Sequence, residues 1–345
     1  MISIDAMSGD HGPSELVPGV ARAAQALDGV RFQLHGDQDV LVKELARCPV
    51  LAGRVEVRHA ERVIAMDEKP AQALRRGKGT SMWGAVEAVK TGEAGVAVSA
   101  GNTGALMAIS KLILRMGADL DRPPLVASLP NDKGVTTFLD VGANVDCDAA
   151  RLVEFAILGE AFHRAAHGVA KPSVGLLNVG SEDVKGHQEV REAHRILRDG
   201  HLDLEYRGFV EGDDLTRGVV DVIVTDGFTG NVALKTAEGA VRFIRDELRV
   251  ALTSSPLARL GALLASGGLR RFRERLSSPP AAPLLGLNGL VLKCHGGASG
   301  RDFAQAVRAA ADLARSDFAA EIERNMRKLP AALAESVPPA AEGAP

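Results

Sequence analysis

Aromatic side chains are scarce in this chain: Phe, Trp and Tyr make up 3% of 345 residues, with a single Trp and a single Tyr. Stacking platforms for bases are therefore not expected. A basic surplus is also missing, because the formal net charge is -3. That excludes a general nucleic-acid binder and requires any anion site to be local. Cys48, Cys147 and Cys294 are odd in number and far apart, and no Cys-x-x-Cys pair occurs. Zinc and dithiol redox chemistry have no signature here, and a reducing compartment is indicated. No segment offers the roughly 20 apolar residues of a spanning helix. Met1-Ile2-Ser3-Ile4-Asp5 lacks the basic and apolar regions of a signal peptide, so a cytoplasmic protein is expected. The dinucleotide fingerprint, the Walker loop and the Gly-x-Ser-x-Gly elbow are all absent. This weakens an ordinary NAD dehydrogenase, a P-loop ATPase and a serine hydrolase.

What the chain does contain is a series of Gly/Asn-rich loops, each directly after an apolar run of strand length. Val96–Ala100 leads into Gly101-Asn102-Thr103-Gly104, and Leu139-Asp140-Val141 into Gly142-Ala143-Asn144. Leu176–Val179, which includes Asn178, leads into Gly180-Ser181-Glu182-Asp183-Val184-Lys185-Gly186. Val222-Ile223-Val224 leads into Thr225-Asp226-Gly227-Phe228-Thr229-Gly230-Asn231. In all, strand-like runs recur at Ile2–Ala6, Val30–His35, Arg54–Arg58, Gly95–Ala100, Leu125–Leu129, Val135–Val141, Ser173–Val179, Leu204–Val210 and Val219–Thr225. Helical patterns fall at about 14–27, 81–92, 103–116, 147–167, 187–199 and 231–252. This alternation predicts βαβ units and a largely parallel sheet covered on both faces. In open α/β sheets the ligand crevice lies at the carboxyl ends of the strands. Backbone N–H groups at the following helix starts suit an anion there.

The candidate site residues come from these loops. Lys185, in a Gly-flanked loop, is either an ordinary surface lysine or a donor to phosphate or a developing oxyanion. Asn102, Asn144, Asn178 and Asn231 are turn formers or neutral donors for an oxyanion, and their equivalent placement favours the second reading. Thr103, Gly104, Asp140, Asp226 and Gly227 share those loops and are candidates for substrate binding. Asp5, with Gly9 and Asp10 just after the first strand, either orients a donor or satisfies loop amides. His295, in Lys293-Cys294-His295-Gly296-Gly297, follows a late strand and is a candidate for the same crevice. His163 and His167 have metal-ligand spacing, but no third ligand is evident, so they read as a solvated helix face. No metal and no cofactor are expected.

Residues 250–283 break the pattern. Leu257, Leu260 and Leu264 lie at helical spacing with Leu263 beside them, followed by Arg270, Arg271, Arg273 and Arg275. Two readings stay open: a buried core helix with a basic end, or a surface element for an anionic membrane. Gly261, Gly267 and Gly268 tip the balance towards an exposed element. From Pro330 onward Pro, Ala and Glu dominate, and a disordered tail is expected over 330–345.

Taken together, several motifs resemble the bacterial phosphate acyltransferase family of phospholipid synthesis. They are Ile-Asp-Ala-Met-Ser-Gly-Asp-His-Gly-Pro at 4–13, Val-Ser-Ala-Gly-Asn-Thr-Gly-Ala at 98–105, and the runs at 139–144, 176–186, 226–239 and 283–289. Their order is kept, and they cover about residues 1–310. The resemblance implies transfer of a fatty acyl group from acyl carrier protein to inorganic phosphate, giving acyl phosphate. It implies a homodimer with a Rossmann-like three-layer α/β/α fold, residues 1–329 forming a single catalytic domain. It also implies a protruding helical hairpin at 250–280 that attaches peripherally to the inner face of the membrane. Lys185 and Asn231 match the family's proposed catalytic positions. Ser8, Ser181 and the longer His295-Gly296-Gly297-Ala298-Ser299 depart from its usual pattern. A coenzyme A-dependent phosphate acetyltransferase would want an adenine-binding region. An isocitrate-type dehydrogenase would want a metal-binding Asp cluster, and a non-catalytic membrane scaffold would not need Lys185 and Asn231.

Overall fold

In the computed structural model, residues 1–117, 122–275 and 281–316, together with Ile322 and Arg327, are described. The expected tail at 330–345 lies outside them. The chain order begins β1 (Ile2–Asp5), α1 (Pro13–Ala24), β2 (Phe32–Gly36), α2 (Gln38–Leu45), β3 (Val55–His59), α3 (Pro70–Arg76), α4 (Ser81–Lys90), β4 (Val96–Ser99) and α5 (Thr103–Leu114). It continues with β5 (Val126–Pro130), β6 (Val135–Leu139), α6 (Ala149–His167), β7 (Ser173–Leu177), α7 (Gln188–Asp199), β8 (Glu205–Val210), β9 (Val222–Val224) and α8 (Gly227–Thr253). Last come α9 (Pro256–Leu264), α10 (Ser266–Arg275), β10 (Ala281–Pro283), β11 (Leu290–Cys294) and α11 (Gly300–Arg315).

Every expected strand and helix is present, and the fold is the expected α/β type with helices flanking mostly parallel strands. The strands divide into two sheets, of order β10-β11-β4-β1-β2-β3 and β5-β6-β9-β7-β8. In each, one edge strand is antiparallel: β10 against β11 and β5 against β6. Beside these two edges, Leu125 and Leu284 form an isolated bridge. One apolar cluster runs through both sheets, from Ile4, Leu34, Val98 and Leu292 to Leu139, Val174 and Val224, around Phe155 and Phe303. Phe155 belongs to α6, a helix buried nearly all round, started by the Asp148 carboxylate accepting from Arg151 N at 2.8 Å and ended by left-handed Gly168.

α6 corrects one expectation. His163 is not on a solvated face: it is buried, 2.9 Å from Thr137 Oγ1, while His167 one turn on is exposed. The segment after residue 250 is described up to Arg275 and again from Ala281, with 276–280 outside the described residues. α8 runs on to Thr253, Ser255 caps α9, and no residue of α9 is buried. Leu257 is 78% exposed and Leu264 81%, so in this chain the stripe is a surface. Among the described residues, no helix is long and apolar enough to cross a membrane.

Candidate active site

Because β11, β4, β1 and β2 run parallel, as do β6, β9 and β7, each sheet presents its post-strand loops along one edge. A cleft of about 640 Å³ opens between the two sets of loops. Thr103 of α5 and Lys293, Cys294 and His295 at the end of β11 line it from the first sheet. Val141 after β6, and Asn231, Leu234, Lys235 and Glu238 of α8, line it from the second. The first turn of α5 thus points an end of positive dipole into the cleft.

The loops are held by buried carboxylates. Asp5 is fully buried, its Oδ2 accepting from Ser8 Oγ and, at 2.7 Å, from Ser99 Oγ. This ties β1 to β4. Gly9, at φ 86°, has room for no side chain: a Cβ would lie 3.1 Å from both Ala100 Cβ and the Gly296 carbonyl. Asp10 N donates to that same carbonyl at 2.9 Å. Asp140, equally buried, accepts from five N–H groups: Leu125 N, Gly142 N, Ala143 N, Asn144 N and Asn144 Nδ2, at 2.6–3.1 Å. Five donors offset the cost of burying its charge. Asp226 caps α8, accepting from Thr229 N at 2.8 Å. Gly227 and Gly230 let that first turn sit on the 140–144 loop, since a Cβ on Gly230 would be 1.9 Å from the Asp140 carbonyl oxygen.

The four asparagines separate. Asn102 caps α5 through its Oδ1, accepting from Ala105 N at 3.0 Å, and its Nδ2 donates to the Met66 and Glu68 carbonyls at 2.8 and 2.9 Å. The Asn144 amide is spent on Asp140, and Asn178 Nδ2 donates to the Gly180 and Lys185 carbonyls at 3.1 Å each. These three organise loops. Asn231 alone of the four makes no side-chain hydrogen bond to the described residues. It is exposed in the cleft over Gly142, whose Cβ position lies 3.6 Å from it.

Lys185 is on the same edge of the second sheet, one strand over from Asn231, but does not line the cleft. Its side chain is 46% exposed and pairs with Glu182 at 2.8 Å, which holds its pKa above the ordinary lysine value. Its loop is pinned by Arg191, which donates to the Val184 carbonyl at 3.2 Å, and by Asp183 facing Arg198. Gly104 admits Pro70, the first residue of α3, against the start of α5. His295 is exposed, its Nδ1 accepting from Gly297 N at 3.3 Å. Sequence reasoning missed Lys293. The only available signal was a charged residue near the end of the apolar run Leu290–Cys294. Cys294 is buried and its thiol is pushed up to about 11, so it is no thiolate.

A second, more apolar cleft of about 660 Å³ shares Leu234, Glu238 and His295 with the first and follows α8 past Leu129, Leu215 and Val241. A third, of about 740 Å³, continues from Val241 and Arg245 to Leu252, Leu269 and Phe272, between α8 and the α9–α10 hairpin.

Residues 1–321 match the family described as "Fatty acid synthesis protein". A phosphate acyltransferase of Phenylobacterium zucineum is 76% identical over 344 residues, covering 100% of this chain and 98% of the relative. One of Caulobacter vibrioides is 65% identical, covering 97% and 93%. The fold is that of phosphotransacetylases from Staphylococcus aureus and Streptococcus pyogenes, at TM-scores of 0.59 and 0.60 and 18% identity, each over 91% of this chain and 93% of the other. With full-length identity of this order, the chain belongs to the fatty acid synthesis protein family and is an acyltransferase.

Proposed function

We propose that the protein transfers a fatty acyl group from acyl carrier protein to inorganic phosphate, forming an acyl phosphate for phospholipid synthesis. The observation that carries this reading is a cleft holding one uncommitted amide, Asn231, beside a helix N-terminus and Lys293, with its one thiol un-ionised. Such a site positions an anion and stabilises an oxyanion. Hydrogen phosphate supplies the nucleophile: its oxygen forms the C–O bond to the thioester carbonyl carbon, the C–S bond breaks, and the phosphate proton ends on the departing thiol. Asn231 Nδ2 donates to the tetrahedral oxyanion. Lys185 enters as the second catalytic residue on the strength of the resemblance, from the neighbouring loop. Asp5, Gly9, Asn102, Gly104, Asp140, Asn144, Asn178, Asp226 and Gly227 shape the substrate site by holding its loops, whereas Thr103 and His295 face substrate.

The acyl chain fits the apolar cleft along α8, which leads towards the hairpin. Peripheral attachment of that hairpin to the inner face of the membrane, in a cytoplasmic protein, is part of the same proposal. Its exposed leucines and Arg270 and Arg271 suit an anionic lipid surface. Phe228, Val232, Phe243 and Val250 lie on the opposite face of α8 from that cleft and are exposed, which suits a homodimer. For the acidic carrier, Lys69, Arg75, Arg76 and Lys78 on and around α3 offer exposed cations without carboxylate partners among the described residues, at the rim beside Gly104. Residues 1–329 act in this reading as one catalytic domain.

The test supplies long-chain acyl carrier protein and phosphate and measures acyl phosphate and free thiol together. Equal amounts of both are expected. Thiol release without acyl phosphate would overturn the reading.

A further inference from the structure

We propose that Lys293 is the cation that holds the attacking phosphate in the cleft, a role that rests on the acyl-to-phosphate reading above. Lys293 on β11 stands opposite Ser99 on β4, and Ser99 stands opposite Asp5 on β1. In parallel strands residues in register project to the same side, and the Ser99–Asp5 hydrogen bond shows that this row faces one way. The row ends at the cleft, where Lys293 and Asn231 are both lining residues.

Lys293 Nζ donates to the carbonyl of Cys294, its own neighbour in sequence. Among the described residues no carboxylate comes within ion-pairing distance of it. An ammonium has three donors, so two are left without an acceptor among the described residues. A half-buried cation in that state is costly unless an anion joins it. Burial pulls the Lys293 pKa below the ordinary lysine value, although Cys294, Asp10 and Asp5 pull the other way. A bound dianion adds to that upward pull and keeps the side chain charged. Lys185 differs on each count, being exposed and already paired with Glu182.

The competing role is structural. Asp5 Oδ1 is buried without a hydrogen-bond partner, and Lys293 then serves only to neutralise it. The two roles diverge in kinetics. Lys293→Met, which keeps the apolar stem, is expected to raise the KM for phosphate roughly 10–100-fold, the usual effect of losing a charged hydrogen bond. The KM for the acyl donor should not move. Lys293→Arg should recover part of the phosphate affinity.

Binding of inorganic phosphate to the protein without any acyl donor, followed by calorimetry, separates this inference from the activity. If wild type binds phosphate and the Met variant, melting normally, does not, the inference holds even where no acyl phosphate is made. If the folded Met variant binds phosphate like wild type, or wild type binds none, the inference falls. A Met variant too unstable to measure moves the test to Lys293→Gln. Restored phosphate affinity in Lys293→Arg supports the proposal, and equal affinity in Gln and Arg variants overturns it.

Discussion

Replacing each of the four asparagines in turn by alanine should split activity from stability. The Asn231 side chain makes no hydrogen bond to the described residues and is exposed. Removing it should therefore change folding free energy by no more than about 0.5 kcal/mol, the ordinary range for a surface position. Its kcat should nevertheless fall by roughly 10²–10³-fold, the loss typical of one oxyanion donor. Asn102→Ala is the reverse case. It removes a helix cap of about 1 kcal/mol and deprives the Met66 and Glu68 carbonyls of their donor. Asn144→Ala takes one of five donors from buried Asp140, a charged hydrogen bond of about 1.5–3 kcal/mol. Both should lower the urea midpoint first and lose activity as a consequence of loosened loops. The assay pairs denaturation midpoints with kcat on long-chain acyl carrier protein. A folded Asn231→Ala protein with near-normal kcat would refute the reasoning. So would an Asn102→Ala protein that loses as much kcat as Asn231→Ala at an unchanged midpoint.

Lys185→Ala should cut kcat by about 10²-fold while leaving the phosphate KM unchanged; unaltered turnover would remove Lys185 from the catalytic set. Leu260→Glu replaces roughly 1.5–3 kcal/mol of burial in a lipid interface by a charge. It should release the protein from anionic vesicles with activity on soluble substrate intact, and unfolding or unchanged flotation would sink the membrane reading. Acid should destabilise the fold through His35 and His163, which burial, helped by Arg58 for the first and His167 for the second, lowers from 6.5 to about 4. Depressed folded values mean that their contribution is fully present above pH 6.5 and is lost as pH falls towards 4. Each costs about 2 kcal/mol by pH 5, and equal urea stability at pH 7 and pH 5 would contradict this.

The local pattern of the sequence determined most of the secondary structure. Nine strand-like runs, four of them leading into Gly/Asn-rich loops, were legible because side-chain alternation and turn chemistry are short-range properties. The short edge strand β10, and the helices α2, α3 and α11, were not read. Position at the ends of those strands also marked loops that lie together, since the parallel strands of a sheet bring their carboxyl ends to one edge. Tertiary structure decided which of the marked residues are available. Asn102 and Asn231 look alike in sequence, yet the amide of Asn102 is spent on carbonyls 36 and 34 residues away. Lys293 reads as a stray charge until β11 is laid beside β4, when register aligns it with Ser99 and Asp5. The leucines at 257–264 fit a core helix and a surface helix equally well by spacing. Whether anything packs over them depends on the rest of the chain, which leaves them exposed. Periodicity is written in neighbouring residues, whereas the partner of an amide, an ammonium or an apolar stripe is supplied by segments distant in sequence.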